Sequence, residues 1–398
     1  MGVLENKLCL ALVLVLGLVG ALISTPVLSS LQANVYLETS GTILYTLAPT
    51  LHIDGRWIKN SAGNILFLRG VNKVGFEDLA DGSWEADGQG GPGAWSPYAV
   101  RANLDKMKSY GFNVVRLIQA VDWWINNEPN YKQHIKDIIT WAGERGIYVI
   151  FTGYQVRNYF AGGGQDPLPY PPYSLPGSET IIPSKEAFVN WWKDVGTQLG
   201  SFPNALFELW NEPVWDPDPS AGFASWKPVV QQCINTIRTV SDNIVLVQWN
   251  YDVWWNIGSH NDLSWIQDLN LTGSNILYST HSYPDGLDAP NHYSYNDLRN
   301  ALQLCGVESV GNTFNKPVII GEIGCNLAWT GQDLTNELSA FKNELTVFND
   351  WNLSYLGWWW RNEGQFALLQ PNESWIPPPT QPGQILINAT AIGGTGGP

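Results

Sequence analysis

Two glutamates stand at the ends of short apolar runs. Glu212 closes LFELWNEPV (Leu206–Val214), and Glu322 lies near the end of PVIIGEIG (Pro317–Gly324). Both runs are typical of strands buried on both faces, and the first must stop at Pro213, which has no backbone donor. A carboxylate at such a position is costly unless a site uses it. The pattern predicts a pair of catalytic carboxyls at strand ends, the arrangement that glycosidic bond cleavage in a barrel requires.

Other polar and aromatic residues end further strand-like runs. Arg116 ends NVVRL, where it could hold a carboxylate ionised or form a purely structural ion pair. His281 and Tyr283 in STHSYP are two positions apart, so both side chains point the same way; a packed core histidine is the alternative. Three tryptophans, Trp358 to Trp360, end the last run, and one is expected to form the floor of a sugar subsite.

The elements that must position these residues alternate along the chain. A hairpin within Leu51–Asn72, turning at Ser61–Asn64 and running into the first barrel strand, is expected to close the bottom of a barrel. Strands then alternate with helices, which predicts a parallel sheet. The fold class predicted is α/β, a (β/α)8 TIM barrel. The expected strands are Ile65–Val71, Phe112–Leu117, Ile147–Phe151, the Glu212 and Glu322 runs, Asn243–Gln248, Ile276–Ser279 and Tyr355–Trp360. The expected helices are Tyr98–Tyr110, Tyr131–Glu144, one capped by Ser184, Phe223–Val240, Leu263–Leu269, Asn296–Leu304, Leu334–Phe348 and a short last helix at Gln384–Ala389.

Composition limits the classes of function. The chain has 398 residues, ample for one large core, and its net charge of −15 disfavours nucleic acid as a partner. Flat aromatic faces suit sugar rings, and the chain carries 21 Trp and 16 Tyr, most of which must be core. A monomer acting on a polysaccharide or oligosaccharide is expected.

The N-terminus has the pattern of a targeting segment. Lys7 precedes an apolar run from Leu8 to Ile23, and Pro26 ends it. Residues 1–30 are therefore expected to be a signal peptide for secretion, with an uncleaved membrane anchor or a buried helix as alternatives. Sequons at Asn270, Asn352, Asn372 and Asn388 are compatible with export.

Domain organisation follows from these patterns. Residues 31–50 are expected to be a linker, 51–376 the barrel, and 377–398 a Pro- and Gly-rich, partly disordered segment. Beyond Cys9, the cysteines Cys233, Cys305 and Cys325 allow at most one intramolecular disulfide, and the pair is not specified.

A metal site is not expected. The segment Asp216–Gly222 only vaguely resembles a calcium loop, because it contains two prolines and lacks the glycine and final glutamate of such loops. No His/Cys cluster has zinc spacing, and two-carboxylate chemistry needs no cofactor.

Taken together and in this order, LRGVN, NVVRL, LFELWNEP, STHSYP, PVIIGEIG and YLGWWW resemble glycoside hydrolase family 5 of clan A over about Leu51–Leu369. The resemblance implies a retaining mechanism in a (β/α)8 barrel. It implies Glu212 as acid/base, Glu322 as nucleophile and Asn211 as partner of the sugar 2-hydroxyl. Arg116, His281 and Tyr283 would support the nucleophile, with Trp360, beside Trp358, as the stacking tryptophan. Many members carry a His after the third strand, where this chain has Tyr154 and Gln155, either of which is expected to replace that contact.

The expected function is therefore a retaining endo-β-1,4-glucanase. A β-mannanase or another β-glycanase of the same fold is the alternative enzyme, because the residues that distinguish sugar epimers are not identifiable from one sequence. A catalytically inactive carbohydrate-binding barrel is the alternative from another class, and the intact set of polar residues argues against it.

Overall fold

Eight parallel strands close into a barrel in the computed structural model, which describes residues 48–74, 95–120, 124–125, 130–154, 185–212, 219–249, 253, 263–283, 294–362, 364–371 and 377–396. The strand order around the barrel is β3-β4-β5-β6-β7-β8-β9-β10, and β10 pairs with β3. The strands are β3 (Arg69–Val74), β4 (Val114–Ala120), β5 (Tyr148–Tyr154), β6 (Ala205–Glu208), β7 (Val245–Gln248), β8 (Ile276–Ser282), β9 (Val318–Ile323) and β10 (Ser354–Gly357). The predicted (β/α)8 barrel is confirmed.

Helices follow the strands and cover the barrel. They are α1 (Pro97–Ser109), α2 (Tyr131–Glu144), α3 (Lys185–Leu199), α4 (Pro219–Ile237), α5 (Trp265–Leu269), α6 (Tyr295–Leu304), α7 (Val307–Asn312), α8 (Gly331–Asp350) and α9 (Gln381–Gly393). The start of α1 shows why the sequence folds this way locally: Ser96 accepts from the Ala99 amide, and Pro97 occupies the first helical position. Outward strand side chains such as Phe207 pack with these helices into one large core.

The inward faces of the strands form two layers. Residues near the strand starts, such as Val114, Ile150, Leu206, Leu246 and Leu277, form a buried apolar cluster in the lower barrel. Because strand side chains alternate, the residue two positions later faces the same interior, and there it is polar. The buried polar residues at those later positions are Arg116, Thr152, Glu208, Gln248 and Ser279. The barrel therefore has an apolar floor beneath a polar layer at the carboxyl ends of its strands, the end where TIM barrels carry their active sites.

A bulge in β9 brings Glu322 into that polar layer. Thr280 of β8 pairs with Ile320, but His281 pairs with Glu322, so Gly321 is an extra residue on β9. A side chain on Gly321 would collide with Ser279 Oγ and crowd the His281 ring, so the position requires glycine. The glycine permits the close approach of Ser279 and His281, and the bulge changes the direction of the next side chain, Glu322.

An antiparallel hairpin, β1 (Leu51–Asp54) and β2 (Trp57–Asn60), covers the lower end of the barrel. Its Leu51 and Ile58 are buried in the apolar cluster of the barrel floor. The Ile53 amide donates to Asn275 Oδ1 at 2.9 Å, just before β8 begins. A hairpin at the bottom of the barrel is present as predicted, but it turns at Gly55 and Arg56. The predicted turn at Ser61–Asn64 instead connects β2 to Ile65, which forms a single antiparallel bridge with Lys59.

The C-terminal segment is part of the barrel. Helix α9 covers Gln381–Gly393 with Thr380 as its N-cap, and Leu386 is buried against Gly357 of β10. After α9, the Phe67 amide donates to the Thr395 carbonyl at 2.9 Å. The short last helix expected at Gln384–Ala389 is therefore present and is longer at both ends than predicted. The Pro- and Gly-rich sequence supplies a capped helix start and close backbone approaches, and the partial disorder expected in 377–398 stays a prediction.

Three cysteines lie in the described part of the chain. Cys233, Cys305 and Cys325 are buried, and no disulfide joins them to one another. Among the described residues, no helix is both long enough and apolar enough to span a membrane. The segment 1–47, which includes the predicted targeting segment and the first part of the linker, lies outside the described residues, and its role stays a prediction.

The packing of α9 predicts that shortening its buried Leu386 lowers stability much more than shortening its exposed Ile392. Leu386→Ala should lower the free energy of unfolding by about 2–5 kcal/mol, because it leaves a cavity against β10. Ile392→Ala on the same helix is the matched control, since Ile392 is 84% exposed, and it should change stability by less than about 0.5 kcal/mol. Urea unfolding followed by tryptophan fluorescence measures both. Equal stability of the two variants would contradict the placement of α9.

Candidate active site

The polar layer is organised around the guanidinium of Arg116, which is fully buried. Its Nε donates to Glu208 Oε2, its Nη1 donates to Asn72 Oδ1 and Glu322 Oε1 at 2.8 and 2.7 Å, and its Nη2 donates to Asn211 Oδ1 at 2.6 Å. Four of the five N–H donors of the guanidinium are therefore used. The charges on Glu208 and Glu322 raise the pKa of Arg116, so this side chain stays a cation in spite of the opposing effect of its burial.

Glu208 is a carboxylate that sequence reasoning missed. It lies in the middle of the barrel with no exposed surface, and it accepts from Thr152 Oγ1 at 2.8 Å and Ser279 Oγ at 3.0 Å in addition to Arg116. A signal for it was present, because Leu206 and Glu208 share the inward face of β6 and a charge inside an apolar strand needs a partner.

Asn72 and Gln248 are two more residues of the polar layer that the sequence did not single out. Asn72 accepts from Arg116 through Oδ1 and donates through Nδ2 to the carbonyl of Gly321 at 3.0 Å, the residue that forms the β9 bulge. Gln248 Oε1 accepts from the backbone amide of Glu212 at 3.0 Å. The side-chain amide of Gln248 therefore holds the backbone of Glu212, and that of Asn72 holds the backbone of Gly321, the neighbour of Glu322.

Glu322 is held by two donors. Besides Arg116, the Tyr283 hydroxyl donates to Glu322 Oε2 at 2.5 Å, as expected from the sequence. Phe366 packs edge-on against the Tyr283 ring at 5.5 Å between centroids. Gly324 leaves room for both rings, because a side chain there would collide with them. The tyrosine hydroxyl is therefore aimed by packing as well as by its hydrogen bond.

Glu212 lies across the barrel mouth from Glu322 and contacts His281. Its side chain is 21% exposed, and His281 Nδ1 lies 2.7 Å from Glu212 Oε1 but 3.5 Å from Glu322 Oε2. The sequence placed His281 beside the nucleophile candidate; its closer contact is with Glu212. The backbone of Glu212 has φ of 47°, a left-handed conformation that costs free energy in a non-glycine residue and recurs at functional sites.

The hydrogen bonding fixes the protonation of His281. Burial lowers the pKa of His281 to about 4, so the ring is neutral near pH 7. Its Nε2 is buried without a hydrogen-bond partner. An unpaired buried N–H is costly, whereas an unpaired nitrogen lone pair costs less, so the proton belongs on Nδ1. His281 therefore donates to Glu212 Oε1 and leaves the other carboxyl oxygen of Glu212 to carry or release a proton.

The two carboxyls of the predicted pair differ in their surroundings. The pKa of Glu212 is raised to about 7, chiefly by burial. The charge on Glu208 acts in the same direction, while Arg116 and the hydrogen bond from Asn211 act in the opposite direction. Burial also raises the pKa of Glu322, but the charge on Arg116 and the hydrogen bond from the Tyr283 hydroxyl oppose that effect. Glu322 has a charged donor and a hydroxyl donor in direct contact, so it is the carboxyl better suited to stay ionised.

The predicted site residues come together at one end of the barrel. Arg116, Asn211, Glu212, His281, Tyr283 and Glu322 converge there. Donor atoms of Glu212, His281 and Glu322 all lie within 4.8 Å of one another, so these three are also the one group in the described part of the chain that could approach a cation. The positive charge of Arg116 on Glu322 and the mutual hydrogen bond of His281 and Glu212 already satisfy these atoms, which disfavours that use.

The three tryptophans after β10 divide into two sets. Trp360 is buried, 3% exposed, packs against Tyr110 and Phe112 in the outer core, and donates from Nε1 to Asn103 of α1 at 2.7 Å. The expectation that Trp360 stacks on a sugar is therefore wrong, because its ring turns outward to the helices. Trp358 and Trp359 are half-buried and stack on each other with their ring centroids 4.9 Å apart. The Arg361 guanidinium also lies over the Trp359 ring, 4.8 Å from its centroid, which favours Trp358 as the ring that can offer a face to a sugar.

Two other predicted positions are described only in part or not at all. Tyr154 is the last residue of β5, which is the strand end where the sequence placed it. Its side chain, and Gln155 with the loop that follows, lie outside the described residues. The same holds for 216–218 of the weak calcium-loop candidate Asp216–Gly222, whose remaining residues begin helix α4. Their roles stay predictions.

Comparison with known proteins decides the family. The sequence profile described as "Cellulase (glycosyl hydrolase family 5)" matches residues 79–364, more than half of the chain. The chain belongs to glycosyl hydrolase family 5. This family 5 enzyme is a glycoside hydrolase, and the resemblance drawn from its motifs is confirmed.

Relatives of this family 5 enzyme are distant in sequence. It is 24% identical over 311 residues to the cellulase/esterase CelE of Acetivibrio thermocellus, a match that covers 68% of this chain. The chain spans about a third of the length of that relative, 35%.

Solved structures share the fold at low identity. A β-glucanase from Saccharophagus degradans, determined in complex with cellotetraose, superposes with a TM-score of 0.65 at 18% identity over 90% of this chain and 98% of that one. A hyperthermophilic endocellulase from Pyrococcus horikoshii superposes with a TM-score of 0.62 at 18% identity, and the match covers 87% of this chain and 99% of that one. The catalytic domain of an endoglucanase from Thermobifida fusca superposes with a TM-score of 0.57 at 17% identity, and the match covers 86% of this chain and 98% of that one.

The surroundings of Glu212 predict a pH-dependent cost to folding. A carboxyl whose pKa is about 7 when folded and about 4.5 when unfolded binds protons better in the folded state. Its contribution to stability is therefore present at low pH and is lost as the pH rises through 7. The Glu212→Gln side chain cannot ionise. As the pH rises from 4.5 to 8, the free energy of unfolding of this variant should therefore increase relative to that of the wild type, by up to about 3 kcal/mol. Urea unfolding of both proteins at several pH values measures this change, and a stability difference that does not vary with pH would contradict it.

Proposed function

We propose that this family 5 hydrolase is an endo-β-1,4-glucanase that cleaves its substrate with retention of anomeric configuration. The observation that carries the proposal is the close approach of the two carboxyls, because one oxygen of Glu212 lies within 4.8 Å of one oxygen of Glu322. Retaining glycosidases place their carboxyl groups about 5–5.5 Å apart, whereas inverting enzymes need about 6.5–9.5 Å to admit a water molecule. The intact set of polar residues around the pair favours an active enzyme over a purely carbohydrate-binding barrel.

In the first step Glu322 attacks and Glu212 donates. A Glu322 carboxylate oxygen forms a bond to the anomeric carbon while the bond from that carbon to the leaving oxygen breaks. Glu212 transfers its proton to the leaving oxygen, and its raised pKa keeps that proton available near neutral pH. Arg116 and Tyr283 orient the Glu322 carboxylate for this attack.

In the second step Glu212 acts as a base. Water attacks the anomeric carbon of the glycosyl ester, Glu212 takes the proton from the water, and Glu322 leaves as a carboxylate. His281 holds Glu212 Oε1 throughout, so the same carboxyl oxygen serves as acid and then as base. Each carboxyl ends the cycle in its starting protonation state.

The substrate class rests on the aromatic rim and on the relatives. Trp358 is proposed as the platform for a glucosyl ring, and Asn211, held by Arg116, as the partner of its 2-hydroxyl. The similar structures include a β-glucanase and an endoglucanase that were determined with cellotetraose. Cellulose or a related β-glucan is therefore the proposed substrate, taken up by an open site that permits endo cleavage.

The retaining endoglucanase proposal predicts both a product and its configuration. The purified protein should release reducing ends from soluble cellulose derivatives faster than from mannan or xylan derivatives, with a rapid fall in viscosity as expected for endo cleavage. Proton NMR of the earliest products should show the β-anomer first. Faster release from mannan would assign the enzyme to β-mannan instead, and early α-anomer would contradict the retaining mechanism.

A second prediction separates the roles of the two glutamates. Glu322→Gly removes the nucleophile, so activity should be lost and then restored by azide, giving a glycosyl azide of inverted configuration. Glu212→Ala removes only the proton donor, so an aryl glycoside whose leaving group needs no proton should retain more activity than cellulose, and azide should give retained configuration.

The stereochemistry of the azide products decides between the assignments. Opposite configurations in the two variants would reverse the roles of Glu212 and Glu322. A loss of less than about 10²-fold in both variants, the low end for losing acid–base help, would exclude them as the catalytic pair.

A further inference from the structure

Glu208 is a buried charge in the barrel centre that the proposed mechanism does not use. Its carboxylate has no exposed surface, and both of its oxygens are occupied by the donors already described: Arg116 and Thr152 at Oε2, and Ser279 at Oε1. A side chain so enclosed has no free surface to offer a sugar, so any role in the reaction must act through its neighbours.

The contact with Arg116 is the first such route. The guanidinium is a planar fork, so a partner at Nε fixes the rotation that decides where Nη1 and Nη2 point. Nη1 donates to Glu322, the proposed nucleophile, and Nη2 donates to Asn211, the proposed partner of the sugar 2-hydroxyl. Glu208, at the Nε edge, sets the plane in which both of those contacts form.

Charge is the second route. A guanidinium in contact with the nucleophile also favours ionisation of Glu212, which would remove the proton that the acid must deliver. Among the described residues, four ionisable groups face Glu212: Arg116 from β4, His281 from β8, Glu322 from β9, and Glu208 from β6, the strand that leads to Glu212. His281 is neutral near pH 7, so Glu208 and Glu322 are the charges that offset Arg116 there.

We propose that Glu208 is a positioning residue, which orients Arg116 toward Glu322 and Asn211 and whose negative charge helps Glu212 to keep its proton. This inference rests on the proposed function, since it assigns a role within the same reaction. The charge on Glu208 does raise the pKa of Glu212, in the direction that this role needs.

Glu208→Gln removes the charge and keeps the shape. The amide oxygen can still accept from Arg116 and Thr152, while the amide NH2 faces Ser279 Oγ, which can accept. Without the charge, Glu212 should lose its proton at lower pH. The basic limb of the kcat/KM profile on a soluble β-glucan should move down by about one pH unit, the low end for a neighbouring charge in a protein interior. The loss of kcat should be about 10-fold at pH 8 and less than about 3-fold at pH 5, with KM changed by less than about 2-fold, because Glu208 does not touch the sugar.

Glu208→Asp separates orientation from charge. It keeps the charge but is one methylene too short to reach both Arg116 and Ser279, so kcat should fall by about the same factor at every pH while the limbs stay in place. Glu337→Gln is the matched control, because Glu337 is another buried carboxylate that accepts from the Asn326 amide at 2.9 Å but lies on the outer helix α8. It should leave both limbs of the pH profile where they are.

A measurement without substrate makes the inference independent of the proposed function. Carbon NMR of glutamate carboxyls, with the Glu212 signal identified by its absence in Glu212→Gln, should show Glu212 titrating at lower pH in Glu208→Gln than in the wild type. If the wild type hydrolyses no β-glycan, the proposed function fails while this titration still decides the role of Glu208. A Glu208→Gln protein that is folded by circular dichroism and shows the wild-type Glu212 titration would overturn the inference, as would a pH profile identical to that of the wild type.

Discussion

A cation buried in the centre of the barrel is the constraint on which the rest of the structure depends. Removing the Arg116 guanidinium from water is expensive, and only a nearly complete set of acceptors offsets that cost. Asn72 from β3, Glu208 and Asn211 from β6 and the residues after it, and Glu322 from β9 supply this set. Removing one partner of such a buried pair typically costs about 3–5 kcal/mol of stability. The buried Arg116 guanidinium therefore requires these acceptors to be present in their positions.

The apolar floor of the barrel gives these polar contacts their strength. Leu206, Leu246 and Leu277 lie beneath the polar layer, and Leu51 and Ile58 of the N-terminal hairpin pack into the same cluster. Water is therefore kept from the underside of the site, and the electrostatic interactions above it act in a medium of lower dielectric constant than water. The hairpin, although it is far from the carboxyls in sequence, thus contributes to the environment that shifts their protonation.

The site combines two opposing electrostatic requirements within a few ångströms. A nucleophile needs its charge stabilised, whereas an acid needs its charge disfavoured, and Arg116 alone would stabilise both. The structure resolves this by contact: Arg116 and Tyr283 touch Glu322, while Glu212 is reached by neutral His281. The strained backbone at Glu212, φ 47°, is held by the amide contact with Gln248, so part of the folding energy is used to place this carboxyl.

Much of the architecture was predictable because it depends on local pattern. Apolar runs separated by helical segments predicted eight parallel strands, and all eight are present. The two glutamates at strand ends, and the pair His281 and Tyr283 two positions apart, were predictable because the strand period fixes which side chains share a face. These inferences needed no knowledge of which strands are neighbours.

Only the tertiary structure decided the contacts that depend on register across strands. The bulge at Gly321 determines that Glu322, and not its neighbour, faces the polar layer. Trp360 turns outward because Asn103 and Phe112, from a distant segment, form the surface it packs on. The last helix is longer than the short helix predicted at Gln384–Ala389, and its Leu386 packs against Gly357 of β10, a contact that the local sequence does not reveal. The sequence alone determined the barrel and its two glutamates, since local period specifies them; the partners of Arg116, Glu208 among them, were decided by closure of the barrel, which brings together residues from separate strands.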